Sequence, residues 1–171
     1  LGFPLADPKV IVGARQQQLK DAGNVSLYSG SDGSLISSVA DGATAGDHFG
    51  AALTVTDVNA DGVQDFIVGA PQADTPVLHD AGGIIKIDGA SGVEDAGWLQ
   101  TGSQASEHFG AALSVDPLLG VLMVGSPGYD AKTSIKGKRV MLKDAGRVQL
   151  RQGDQFGMVA KEQFGSAAGD M

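Results

Sequence analysis

His48-Phe49-Gly50-Ala51-Ala52-Leu53 returns sixty residues later, letter for letter, as His108-Phe109-Gly110-Ala111-Ala112-Leu113. Other landmarks keep step with it. Val12-Gly13-Ala14, Val68-Gly69-Ala70 and Val124-Gly125-Ser126 recur at a spacing of 56 residues. Asp21-Ala22-Gly23, Asp80-Ala81-Gly82 and Asp144-Ala145-Gly146 follow them in turn, and Phe164-Gly165 opens the series once more. Three landmarks in a fixed order define a structural repeat, and a repeat of this length is one supersecondary unit that buries its faces against its neighbours.

Within a unit the apolar pattern is that of short strands. Ala52 to Val58 alternates, Phe66-Ile67-Val68 is a continuous apolar triplet, and Ile84-Ile85-Lys86-Ile87 is β-branched and precedes a Gly-rich turn. The turns Gly30-Ser31-Asp32-Gly33 and Gly89-Ala90-Ser91-Gly92 hold matching places after Val25 to Tyr28 and after Ile84 to Ile87. A fourth strand is expected around Leu35 to Val39 and again around Gly97 to Gln100. Four short strands in each unit of about 55 to 60 residues predict propeller blades, slightly longer than WD40 or kelch units.

Composition agrees. The 171 residues hold 42 % hydrophobic and 19 % charged side chains, enough apolar surface for a packed core. Twenty-six Gly and six Pro are too many for a helical bundle. The formal charge of −8 disfavours nucleic acid and anionic membrane, and it suits cation binding. With no Cys, disulfides, thiolate metal sites and thiol nucleophiles are excluded. No apolar run has the length of a membrane-spanning helix.

One loop carries metal chemistry. Asp57, Asn59, Asp61 and Asp65 place oxygen donors at positions 1, 3, 5 and 9 of a turn, with Gly62 at position 6 and the Val63 carbonyl available at position 7. Hard oxygen donors at this spacing suit calcium. An EF-hand would need a carboxylate at position 12, where Val68 stands inside an apolar strand, so the expected site is a nine-residue loop flanked by strands. The alternative is an acidic turn without metal, in which crowded carboxylates would repel one another. The next unit offers only Asp116 in the equivalent place, and no calcium is expected there. Asp41 and Asp47 are expected to be turn residues, and Asp7 could be the last ligand of a truncated loop.

Phe-Gly at the unit start, the acidic loop, and Val-Gly-Ala-Pro at Val68 to Pro71 or Val-Gly-Ser-Pro at Val124 to Pro127 resemble the FG-GAP repeats of integrin α-subunit heads. They are similar also to the propeller repeats of glycosylphosphatidylinositol-specific phospholipase D. The resemblance implies an all-β fold, a partial β-propeller of four-stranded antiparallel blades. Its units are an incomplete blade at 1–46, a calcium-loop blade at 47–105, a blade with a basic insertion at 106–160 and the start of a further blade at 161–171. It further implies an extracellular or cell-surface binding or scaffold module, supported by calcium at Asp57, Asn59, Asp61, Val63 and Asp65. The alternatives are an accessory propeller domain of a hydrolase and a structural subunit of a large complex.

Catalysis finds no motif. Nucleotide-binding Gly-rich loops and a Gly-x-Ser-x-Gly elbow are absent. His48 and His108 hold the same position in successive units, but Gln163 holds it in the next, so a hydrogen-bonding place at the blade edge is the economical account. His79 stands alone in a loop, and the phenylalanines at 49, 109 and 164 are expected to be core anchors. Lys132, Lys136, Lys138, Arg139, Lys143, Arg147 and Arg151 gather seven of the twelve basic residues. They form either a solvated face or an anchor for an acidic neighbour, a phosphorylated headgroup or an anionic glycan; aromatic interleaving of the kind that binds nucleic acid is absent.

Overall fold

The computed structural model describes residues 9–14, 20–41, 44–116 and 118–152, and every regular element among them is a strand. Strands β1 (Lys9–Ala14), β2 (Asn24–Ser29) and β3 (Leu35–Asp41) make an antiparallel sheet in that order. Strands β4 (Ala52–Thr56), β5 (Asp65–Ala70), β6 (Gly83–Ile87) and β7 (Glu94–Thr101) make a four-stranded one. In the third unit β8 (Ala112–Asp116) and β9 (Val121–Ser126) are followed by a hairpin, β10 (Ala131–Ile135) and β11 (Lys138–Leu142), before β12 (Arg147–Gln152) rejoins β9. The sheets are successive blades of a partial β-propeller. Of the expected units, residues 1–8 of the first, 153–160 of the third and all of 161–171 lie outside the described residues, and with them Asp7.

The repeat in sequence is a repeat in register. Ala52 faces Gly69 and Leu53 faces Val68 across β4 and β5, and Ala112 faces Gly125 and Leu113 faces Val124 across β8 and β9. Gly13, Gly69 and Gly125 face Val25, Ile84 and Val148 on the following strands. Side chains alternate between faces of a strand, so this register aims Phe66, Val68 and Ala70 one way and Ile67 the other. The first set packs with Val25 and Leu27 of the preceding unit and with Phe49 of its own. The second packs with Ile84, Phe109, Leu122 and Val124. The middle sheet is therefore buried on both faces, which explains the unbroken apolar triplet in β5.

Two expectations need adjustment. The strand after Phe49 ends at Thr56 rather than Val58, because the Val58 N–H leaves the ladder to donate to the buried Asp65 carboxylate at 3.1 Å. The fourth strand of the middle blade is longer than Gly97 to Gln100, and its pairing with β6 is interrupted between Ile84 and Lys86. The basic insertion is the hairpin β10–β11. It turns through Lys136 and Gly137, both at positive φ, the twist that a two-residue hairpin turn requires.

Blades are joined where Phe-Gly meets the Asp-Ala-Gly of the unit before. Phe49 N–H donates to Ala22 O at 2.8 Å and His48 N–H to Asp21 O at 3.1 Å; Phe109 and His108 repeat this on Ala81 and Asp80 at 3.0 and 3.2 Å. The backbones approach so closely that a methyl group on Gly69 would fall 2.2 Å from Gly110 O, and one on Gly13 would fall 2.3 Å from Gly50 O.

Candidate metal centre

The loop between β4 and β5 is built from its own carboxylates. Asp57 accepts the Asp61 N–H on Oδ1 at 3.2 Å and the Gly62 N–H on Oδ2 at 2.9 Å. Asn59 Oδ1 accepts the Asp61 N–H at 3.2 Å, and Asp61 Oδ1 accepts the Val63 N–H at 2.7 Å. Asn59 Nδ2 donates to Asp61 Oδ2 at 2.8 Å. Ala60 and Gly62 take positive φ to make the bend. These side chains share one small, solvent-facing turn.

Asp65 sits differently. It is fully buried, accepting Val58 N–H on Oδ2 and, across the sheet, Gly89 N–H on Oδ1 at 3.0 Å. It ties the loop to the turn after β6, and Gly89 has no space for a side chain, since a methyl there would lie 1.8 Å from Gln64 O. The donor set fits a hard cation. Asp57, Asn59 and Asp61 each present side-chain oxygen on the turn, and every carboxylate oxygen that accepts one N–H keeps a second lone pair. Asp116 instead caps its own turn, accepting N–H from Leu118 and Leu119 on Oδ1.

A cluster absent from the sequence argument lies in the loop between β5 and β6. His79 is not alone there: its Nδ1 is 2.7 Å from Asp80 Oδ2, and Asp74 Oδ1 accepts the Asp80 N–H at 2.7 Å. Among the described residues, Asp74, His79 and Asp80 are the one group of three such side chains whose ligand atoms lie within 4.8 Å of one another. Proximity along one short loop was the available signal. Asp47 faces the same region; it is buried and caps the loop before Phe49 by accepting the Thr44 N–H at 2.9 Å. Burial pushes its carboxyl above the ordinary range, and the charges of Asp74 and Asp80 add to that.

His48 and His108 stand at positive φ and act through their backbone, each donating N–H to the preceding unit and accepting from Ala51 or Ala111. The basic stretch divides in two. Lys132, Lys136, Lys138 and Arg139 are exposed on the hairpin. Lys143 pairs with Asp130 at 2.9 Å, while Arg147 stacks over Tyr129 and pairs with Glu107, whose carboxylate is wholly buried and also accepts N–H from Ser103 and Gln104. Arg151 lies over the Phe109 ring, and burial together with Arg147 depresses its pKa.

Fold and loop together define a propeller-type repeat protein. The family model of the FG-GAP repeat matches residues 49–85, which run from Phe49 through the acidic loop and Gly-Ala-Pro into β6. No curated protein matches the chain. Among the described residues no helix is long and apolar enough to cross a membrane.

Proposed function

We propose that the chain is a non-catalytic binding and scaffold module, part of a larger extracellular β-propeller in which the Asp57–Asp65 loop holds calcium. FG-GAP repeats are typically protein-binding modules, and the match over residues 49–85 supports that class. The observation that carries the reading is the split within the loop: Asp57, Asn59 and Asp61 gather on a solvent-facing turn while Asp65 anchors it to the blade. Asp57, Asn59, Asp61, Asp65 and the Val63 carbonyl would hold the ion. Bound calcium supplies positive charge that offsets the crowded carboxylates. The four exposed hairpin cations add a contact for an anionic partner.

Calorimetric titration of the full chain with calcium tests this. One site with Kd on the order of 10⁻⁴ to 10⁻³ M is expected, the range of extracellular modules. Asp61→Ala should remove it, and Asp74→Ala should leave it in place. An absence of binding heat, together with an unchanged melting midpoint in millimolar calcium, would refute the calcium role.

A further inference from the structure

The hairpin β10–β11 concentrates positive charge on a chain whose net charge is −8. Lys132, Lys136, Lys138 and Arg139 are exposed, none has an ion-pair partner among the described residues, and no acid stands between Asp130 and Asp144. A net charge of −8 spread evenly disfavours an anionic surface, but a projection of the opposite sign meets that surface first. Ile135 and Met141, 52 % and 50 % exposed, share the hairpin with these cations. Exposed apolar side chains occur elsewhere too, yet Val77 lies in sequence between Asp74 and Asp80, and Leu118 follows Asp116.

The register collects these groups near the tip. Ile135 faces Lys138 beside the turn, Ser134 faces Arg139 one step back, and Lys132 faces Met141 two steps further. Lys132 and Met141 are thus three residues of strand from Ile135 and Lys138, about 10 Å. A segment lying in a bilayer interface is buried about 5 to 10 Å deep, so all four cations and both apolar side chains fit within that layer. Asp130, at the base, is five residues from Ile135, about 17 Å or two Debye lengths at physiological ionic strength. Its charge is further held by Lys143 at 2.9 Å. A groove of about 700 Å³ on the hairpin is lined by Lys132, Ser134, Arg139 and Met141 together with Thr133 and Val140, which sets two cations and hydroxyl donors around one space.

We propose that the β10–β11 tip docks on an anionic lipid surface, its groove taking a headgroup phosphate between Lys132 and Arg139 while Ile135 and Met141 enter the boundary with the acyl chains. This names the anionic partner of the hairpin proposed above and rests on that reading, not on the calcium loop. Arg139 presents a planar fork that matches phosphate oxygens, and Lys136 and Lys138 keep their ammonium heads among the headgroups while their stems lie along apolar surface. A sulfated glycan would use the cations and leave Ile135 and Met141 exposed. Residues 131–143 hold no aromatic side chain, the stacking platform that nucleic-acid bases use.

Flotation of the full chain with vesicles of phosphatidylcholine containing one-third phosphatidylglycerol, at physiological ionic strength and with chelator present, tests this. Binding should exceed that to pure phosphatidylcholine at least tenfold. Lys136→Gln with Lys138→Gln should lower it about fivefold for each charge removed, the attraction of one cation near an anionic membrane. Ile135→Ser with Met141→Ser, which keeps every charge, should lower it at least threefold. An unshifted melting midpoint reports that each variant has folded. Equal binding to both kinds of vesicle, or full vesicle binding by either double variant, would overturn the proposal. Binding of dextran sulfate without any binding of vesicles would also overturn it, while leaving an anionic contact of another class; the calcium titration is independent of each of these results.

Discussion

Gly69 carries two structural demands at once, since it pairs with Ala52 within its sheet and touches the Gly110 carbonyl of the next. A methyl group there meets backbone, which cannot swing aside as a side chain would. Gly69→Ala is expected to lower stability by about 1 to 3 kcal/mol, the range for overpacked cores, as measured by thermal unfolding. Arg147→Ala should cost more, about 3 to 5 kcal/mol, because it strands a buried Glu107 carboxylate without its cation; Lys143→Ala breaks only an exposed pair. Asp47 behaves in the opposite sense. Its folded-state pKa is raised, so the folded chain holds the proton more tightly than the unfolded one, and stability falls as pH rises from the ordinary 3.8 through the raised value. Asp47→Asn keeps an acceptor for Thr44 and should stabilise the protein at neutral pH, an advantage that shrinks on acidification; melting curves of both proteins across pH 3 to 7 check the sign. Little of this was legible in the sequence. The clustering of Asp57, Asn59 and Asp61 on one turn could be read from spacing because it is local, but Glu107 and Arg147 lie forty residues apart, and nothing in the series of letters joins them.

At the scale of elements, the strands follow from alternation and from turn residues, and those are local signals too. Leu35 to Val39 and Ile84 to Ile87 are legible for that reason. The third unit was harder, because a basic stretch with no counterpart in the other blades interrupts the register of landmarks between Ser126 and Asp144. The structure resolves it as a hairpin that pairs only with itself. Its base is pinned by Asp130, which accepts the Asp144 N–H at 3.0 Å and exchanges hydrogen bonds with Gln104 at 2.8 and 3.1 Å. The tip makes no ladder with β9 or β12. Replacing residues 132–141 by a short Gly-Ser linker is therefore expected to leave the melting midpoint within a few degrees of the parent while removing four exposed cations; a loss of cooperative unfolding would show that the hairpin is integral to the blade. Where the same sequence feature does different work, the repeat itself is the guide: Asp57 opens a donor-rich loop, and Asp116, in the equivalent place, merely caps a turn.

For the molecule as a whole, what matters is how the stack of blades ends. Phe66 and Val68 of β5 are 4 % and 0 % exposed because the preceding blade covers them, while their equivalents on β1, Val10 and Val12, are 48 % and 45 % exposed. Among the described residues β1 pairs only with β2, leaving its other edge without the strand that β4 and β8 give their sheets. An apolar face beside an open strand edge is a template for another chain. The repeat was visible from residue spacing alone, and so was the expectation of further blades, whereas the identity of the exposed residues needed the register. The most direct test of the open, stacked-blade architecture is the mass of residues 1–171 in solution, measured by sedimentation equilibrium alongside calorimetric unfolding. The account predicts concentration-dependent self-association that Val10→Lys with Val12→Lys weakens. A monodisperse monomer with one cooperative transition, unaltered by that pair of substitutions, would contradict it.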